Sequence, residues 1–350
     1  MYDTKIVLEE CASLYQKLEA SLLPLMGKTV LITGANGLLG SFFADFFVYL
    51  NENYDFNTKI QVTSLSDEKS ASRISHILHR KDVSYTSWDL SNAIQDDTFE
   101  KSDYIFFMSG YGQPKKFIDN KMKTIMINTV GLDSIIKKAS KRNSKIVFAS
   151  TSEVYGDPDQ ANIPTKESYN GNYSVESNRS CYISSKRLGE VICLEHQRDN
   201  PDLNVKIARI ALTYGPGVFL NDDRVLQDFI IKGSKNNKIQ LFDQGSAIRN
   251  YIFITDSAKI ILDIVLGGKE TIYNVGGNTE EVSIFDLATI VGEVIEVPVH
   301  KGNKTQDFVS RSPSRVALDM SKYENEFGKI QNITNLKSGI EKTAKWLDII

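Results

Sequence analysis

The sequence predicts an α/β protein: a Rossmann-type doubly wound parallel sheet with a smaller C-terminal substrate-binding cap. Three observations carry this. The strand pattern Lys28-Thr-Val-Leu-Ile-Thr33 runs directly into Gly34-Ala-Asn-Gly37-Leu-Leu-Gly40 and then into an apolar helix. Strand and helix patterns go on alternating as far as Thr213-Tyr-Gly-Pro216, as they do when parallel strands are joined by crossover helices. The apolar run Lys145-Ile-Val-Phe-Ala-Ser150 ends in Thr151-Ser152-Glu153. That puts hydroxyls and a carboxylate at the sheet edge, where parallel sheets hold ligands.

The chain has 350 residues, enough for two domains or one large one. Apolar residues make up 41% and charged residues 24%, ordinary proportions for a soluble globular protein. A net charge of −3 gives no bulk attraction to nucleic acid or to an anionic membrane. No apolar run is long enough to span a bilayer. The three cysteines, Cys11, Cys181 and Cys193, form no C-x-x-C pair, which fits a reducing cytoplasm rather than a disulfide framework. The four histidines lack partners at zinc spacing, so no metal site is expected.

Residues 1–27 carry Ile6, Val7, Cys11, Leu14, Leu18, Leu22 and Leu25 at roughly helical spacing. Glu9 and Glu10 lie within the stretch and no basic run precedes it, so it reads as an amphipathic helical extension packed on the next domain rather than a signal peptide. A dinucleotide-binding domain is expected over 28–215. The glycines allow a tight turn, a close backbone approach to a pyrophosphate, and close helix–strand packing. Gly34, Asn36, Gly37, Leu38 and Gly40 are therefore candidate cofactor contacts, with the positive end of the following helix facing the phosphates. The spacing is G-x-x-G-x-x-G rather than G-x-G-x-x-G.

The second strand, Lys59 to Leu65, should end on an acid that holds the adenosine ribose of NAD. Ser66 stands there, with Asp67 one step later, and nearby Lys69 and Arg73 could hold the 2′-phosphate of NADP. NAD is expected, with NADP left open. Strand three runs to Asp89-Leu90, where a side chain could meet the adenine. Strand four is Asp103 to Ser109, and the helix from about Lys121 to Lys141 contains Asn128. After strand five and a loop over 157–179 comes a helix with Tyr182 and Lys186 on one face. An ammonium beside a phenol favours phenolate, so Tyr182 is expected to act as a base below its free pKa of about 10. Strand six is Asn204 to Ile210.

Beyond Pro216 the alternation weakens. The segments 216–245 and 268 to the end are expected to form the cap, with other parts of 216–350 returning to the first domain. Arg224, Arg249 and Arg311 fall in loops there and suit a phosphate or carboxylate grip.

These motifs resemble the extended short-chain dehydrogenase/reductase family, of NAD-dependent epimerase/dehydratase type, which acts on nucleotide sugars. The resemblance covers nearly everything after Lys28. It rests on Thr33-Gly34-x-x-Gly37-x-x-Gly40, Asp89-Leu90, Asn128, Tyr182-x-x-x-Lys186, and Arg249 ahead of Phe253-Ile-Thr-Asp256. Within the family it is nearest to UDP-glucuronic acid decarboxylases, through Ala149-Ser-Thr-Ser-Glu-Val-Tyr-Gly-Asp-Pro158, Arg179-Ser-Cys-Tyr-x-x-x-Lys186-Arg187 and Asn221-Asp-Asp-Arg224-Val225. Two positions depart from the decarboxylase pattern: Leu212 replaces an asparagine, and Ser66 replaces the ribose acid.

The resemblance implies oxidation of the sugar at C4. Tyr182 would be the base, Lys186 would assist it and hold the nicotinamide ribose, and Thr151 or Ser152 would bond the 4-oxygen. Glu153 would act at C5, Arg311 would hold the sugar carboxylate, and Arg224 and Arg249 would bind substrate. It also implies a nucleotide-sugar substrate, a UDP-sugar in particular, and a homodimer paired through helices near 121–141 and 180–197. The rival readings are a 4-epimerase, a 4-keto reductase, a 4,6-dehydratase, and a catalytically inactive nucleotide-binding scaffold.

Overall fold

The structure is a computed structural model that describes residues 4–67, 71–93, 101–140, 143–277, 281–303 and 313–350. Seven strands form its central sheet: β1 (Thr29–Thr33), β2 (Lys59–Ser64), β3 (Val83–Ser87), β4 (Tyr104–Phe107), β5 (Lys145–Thr151), β6 (Asn204–Ile210) and β7 (Ile272–Val275). All pair in parallel, in the spatial order β3-β2-β1-β4-β5-β6-β7. The order reverses between β1 and β4, so a crevice opens beyond their carboxyl ends.

The central strands are apolar because both faces are covered. All four residues of β4 are buried, and Ile146, Val147 and Phe148 of β5 are fully enclosed. β7 narrows the expected cap. The sequence reading gives everything from about 268 to the cap, but Ile272 pairs opposite Ile207 and Val275 opposite Ile210 of β6. Tyr273 and Val275 are fully buried there, so this short apolar run closes the edge of the main sheet. β3 stops at Ser87, two residues short of Asp89.

Helix α1 (Thr4–Leu18) lies against α2 (Leu38–Tyr54), which buries Phe42, Phe43, Phe46, Phe47 and Leu50. Cys11, Leu14 and Leu18 of α1 are buried. On the same helix the buried Glu10 accepts Thr255 Oγ1 at 2.6 Å and Lys342 Nζ at 2.5 Å. A short helix α3 (Pro114–Asp119) precedes the helix expected from about Lys121 to Lys141, which is divided into α4 (Lys121–Met126), a π turn (Ile127–Gly131) and α5 (Leu132–Ser140). Asn128 sits in the π turn, a distortion common at functional sites.

The remaining helices are α6 (Ser180–Asp199), α7 (Val225–Asn236), α8 (Ile254–Gly267), α9 (Ile284–Val294), α10 (Ser321–Phe327) and α11 (Leu336–Trp346). The smaller part is built round α7 and α9, with the short strand pairs 248–249 with 282–283 and 239–240 with 299–300.

Candidate active site

The glycine loop joins β1 to α2 at the switch point. Gly34 has φ +67°, and a Cβ there would lie 2.8 Å from the Met108 carbonyl oxygen. A Cβ on Gly40 would overlap the Gly34 carbonyl oxygen. Ala35 N–H donates to Thr63 O at 2.9 Å, fastening the loop to β2. The start of α2 has no side-chain cap, so its first N–H groups are available to an anion. Asn128 adds a buried amide whose Oδ1 has no hydrogen-bond partner among the described residues, while its Nδ2 donates to Ser185 Oγ and Thr124 O. A tight backbone cradle and an unmet buried acceptor suit a dinucleotide.

The ribose end differs from the sequence expectation. Ser64 Oγ lies 2.7 Å from Tyr85 OH, and that hydroxyl also bonds Ser66 O. Asp67 is exposed beside them, and Lys69 lies outside the described residues. Arg73, which the sequence leaves open as a 2′-phosphate contact, is folded against the glycine loop. Its Nη1 donates to Asn36 O at 3.1 Å, its backbone N–H donates to Asn36 Oδ1 at 3.0 Å, and its guanidinium lies 3.8 Å over the Phe219 ring. Leu90 is buried, and Asp89 is held below the usual carboxylate range by the Ser91 hydroxyl, which donates at 2.6 Å.

The expected catalytic groups meet where β5 ends. Thr151 Oγ1 accepts Glu153 N–H at 3.2 Å and caps the short turn Ser152–Tyr155. Tyr182 stacks on Phe117 with ring centroids 4.7 Å apart and planes 5° apart. One turn on, Lys186 Nζ donates to Ala149 O at 2.6 Å and lies 4.7 Å from the Phe148 ring centroid.

The electrostatics around Tyr182 pull in both directions. Burial pushes its phenol up to about 12 and the Glu153 charge adds to this, while the Thr151 hydrogen bond and the charges of Arg179 and Arg224 pull it down. Burial pushes Lys186 itself down to about 7.

Beside this constellation lies a cleft of about 550 Å³ whose lining includes Ser152, Glu153, Arg179, Leu212, Arg249 and Pro313. The Arg179 guanidinium grips Glu153 with two bonds, Nε to Oε2 at 3.0 Å and Nη2 to Oε1. Arg249 is only 9% exposed, and burial lowers its pKa. Its Nη1 donates to Ile248 O at 2.7 Å, and the charges of Glu153 and Asp157 act on it without an ion pair among the described residues.

Arg224 is placed differently from Arg249. It is clasped by Asp222, Nε to Oδ1 at 3.0 Å and Nη2 to Oδ2 at 2.7 Å, and donates to Thr213 O at 3.2 Å. Arg311 lies outside the described residues. Sequence reasoning left Arg179 without a role, although it stands three residues before Tyr182. It also missed the buried pair Glu190–Arg209 beneath the site; the spacing of Glu190, two helical turns beyond Tyr182, was the available signal.

A glycine cradle at the switch point, with Thr, Tyr and Lys at the next strand end, defines a dinucleotide-dependent enzyme of the doubly wound class. The chain belongs to the NAD dependent epimerase/dehydratase family, whose model matches residues 30–276. NAD is accordingly its cofactor.

Among curated relatives, it is 25% identical to UDP-glucuronic acid decarboxylase 1 of Danio rerio over 322 residues, 91% of this chain and 72% of that protein. It is 27% identical to UDP-glucuronic acid decarboxylase 6 of Arabidopsis thaliana over 302 residues, 85% of this chain and 83% of that protein. Its fold is shared with the NAD-bound dTDP-glucose 4,6-dehydratase DesIV of Streptomyces venezuelae, at TM-score 0.77 and 20% identity over 91% of this chain and 97% of that one. It is also shared with a UDP-N-acetylglucosamine 4-epimerase of Methanobrevibacter ruminantium, at TM-score 0.76 and 19% identity over 92% and 98%.

Proposed function

We propose that this enzyme decarboxylates a nucleotide-linked uronic acid, UDP-glucuronic acid in the first instance, through a 4-keto intermediate. The observation that carries this is the charge arrangement in the cleft: Glu153 gripped by Arg179, with the nearly buried Arg249 beside them. A nearly buried guanidinium that makes no ion pair among the described residues favours an anionic ligand. The decarboxylase relatives point the same way.

Held at the glycine loop of Gly34, Gly37 and Gly40, NAD would supply reversible hydride chemistry at sugar C4. Tyr182 takes the 4-hydroxyl proton. Thr151 bonds the phenol oxygen and, with Arg179 and Arg224, favours phenolate against the burial and the Glu153 charge that oppose it. Pairing with Arg179 reduces that opposition. Ser152 lines the cleft and bonds the 4-oxygen in this reading. With a carbonyl at C4, the C5–carboxylate bond breaks and its electrons pass to that carbonyl. Glu153 then serves proton transfer at C5, and Arg311 and Arg249 serve carboxylate and phosphate recognition.

In this reading the enzyme is a cytoplasmic homodimer. Met122 on α4 and Leu188 and Val191 on α6 are 66%, 49% and 47% exposed, an apolar face suited to pairing. Among the described residues no helix is long and apolar enough to cross a membrane. The deciding test is incubation with NAD and UDP-glucuronic acid, followed by NMR. A UDP-pentose or its 4-keto form, with CO₂ released, is expected. Unchanged substrate or a C4 epimer would sink the decarboxylase reading.

A further inference from the structure

A segment that the sugar chemistry leaves unused crosses the mouth of the glycine loop. Gly217, at φ +101°, packs where a Cβ would lie 3.2 Å from Leu38 Cδ1, at the first residue of α2. The carbonyl of the buried Val218 accepts Trp346 Nε1–H at 2.8 Å. Phe219 carries the Arg73 guanidinium 3.8 Å above its ring, and Arg73 holds Asn36 of the glycine loop through two hydrogen bonds. Asn36, Ser72, Lys116, Phe219, Leu220 and Asn221 line a cavity of about 470 Å³ beside this junction. Further along the same segment, Asp222 holds Arg224, whose charge acts on the Tyr182 phenol.

We propose that Arg73 and Phe219 form a clamp across the phosphate-binding loop that retains the dinucleotide through its pyrophosphate from one turnover to the next. An arginine stacked on an aromatic ring and anchored to a backbone carbonyl is already oriented, so little conformational entropy is lost when it meets phosphate. Lys116 adds a second cation to the cavity wall, and the uncapped α2 N-terminus adds its own positive potential. The clamp joins β2's following loop to the segment leading to Arg224, so it ties the cofactor side of the crevice to the substrate side. A cofactor that gives back, within each cycle, the hydride it has taken has no need to leave, and a clamp suits that cycle. The inference rests on NAD binding at the glycine loop and is independent of which sugar is used.

The test follows dissociation, not turnover. Purified protein is loaded with NADH and chased with excess NAD⁺, and the decay of bound-NADH fluorescence gives the off-rate. Arg73→Met and Phe219→Ala are each expected to raise that rate about tenfold or more. The double variant should be no faster than the faster single, because the two side chains act as one unit. UDP affinity and the cofactor-free unfolding midpoint should stay near wild type, and Arg73→Lys, which keeps the charge but not the flat stack, should fall between. Off-rates within twofold of wild type in both single variants would overturn the clamp. So would loss of NADP⁺ binding alone in Arg73→Met with the NADH off-rate unchanged, since that result would assign Arg73 to a 2′-phosphate.

Discussion

The two halves of the crevice are built differently. The cofactor half is made of backbone: Gly34, Gly37 and Gly40 lie within seven consecutive residues, and the places where side chains would collide define its shape. The sugar half is made of side chains from distant segments, with Glu153, Arg179 and Arg249 meeting across almost 100 positions of sequence. A backbone cradle is specified by local sequence, whereas a side-chain cleft depends on how loops pack. Damage to the second half should therefore spare the first.

The largest effect is expected at the junction of the halves. Tyr182→Phe removes the proton acceptor and keeps the stack on Phe117. Turnover should fall on the order of 10⁴-fold, the upper end for a general acid–base group. NAD affinity, measured by calorimetry, should be unchanged. Substantial residual turnover would remove Tyr182 from the chemistry, and loss of NAD binding would break the separation.

Beneath both halves, Arg209 meets Glu190 at 3.0 Å and 2.7 Å and also donates to Tyr155 OH at 3.1 Å. Ser150 Oγ donates to the same Glu190 at 2.5 Å, so the network brackets the Thr151–Glu153 turn and fixes α6 two turns beyond Tyr182. Arg209→Met leaves a buried carboxylate without its counter-charge and should cost about 3–5 kcal/mol of stability. Urea denaturation checks this. A loss below about 1 kcal/mol would mean that the pair is hydrated.

Arg249→Ala should weaken only the sugar half. A hydrogen bond from a charged group to an anionic substrate is worth about 1.5–3 kcal/mol, and removing it is read as a rise in KM on the order of 10- to 100-fold with NAD affinity unchanged. An unchanged KM would make Arg249 a structural residue, and the anion would then be held elsewhere in the cleft.

The difference in construction also explains what could be read in advance. The parallel sheet, the glycine loop and the sites of Tyr182, Lys186 and Thr151 were legible because each depends on periodicity or short-range spacing. Arg249 was legible as a loop arginine, and the structure brings it into the cleft. Arg224 carried the same signal but is engaged by Asp222, two residues away, which composition could not reveal. Arg73 turned from the ribose to the glycine loop because Phe219, almost 150 residues later, supplies the surface it stacks on. The β7 strand was missed because four residues give too short a pattern to separate from a cap segment.

The last effect concerns Lys186, whose burial bears on how its ammonium acts near Tyr182. Its ammonium is directed at Ala149 O, and burial pushes its pKa from 10.5 to about 7. Between those two values the unfolded chain binds a proton at this site that the folded chain does not. Stability of the cofactor-free protein should therefore rise with pH across that window from this group, and below about 7 the fold must carry a buried ammonium. Lys186→Met removes the titration. The variant should gain most over wild type near pH 6 and lose that advantage towards pH 10. The full shift sets an upper limit of about 5 kcal/mol on the change. Urea midpoints of both proteins at pH 6, 8 and 10 measure it. Parallel curves would mean that Lys186 is solvated in the folded protein, and its ammonium would then be free to act on Tyr182 as the four-residue spacing first suggested.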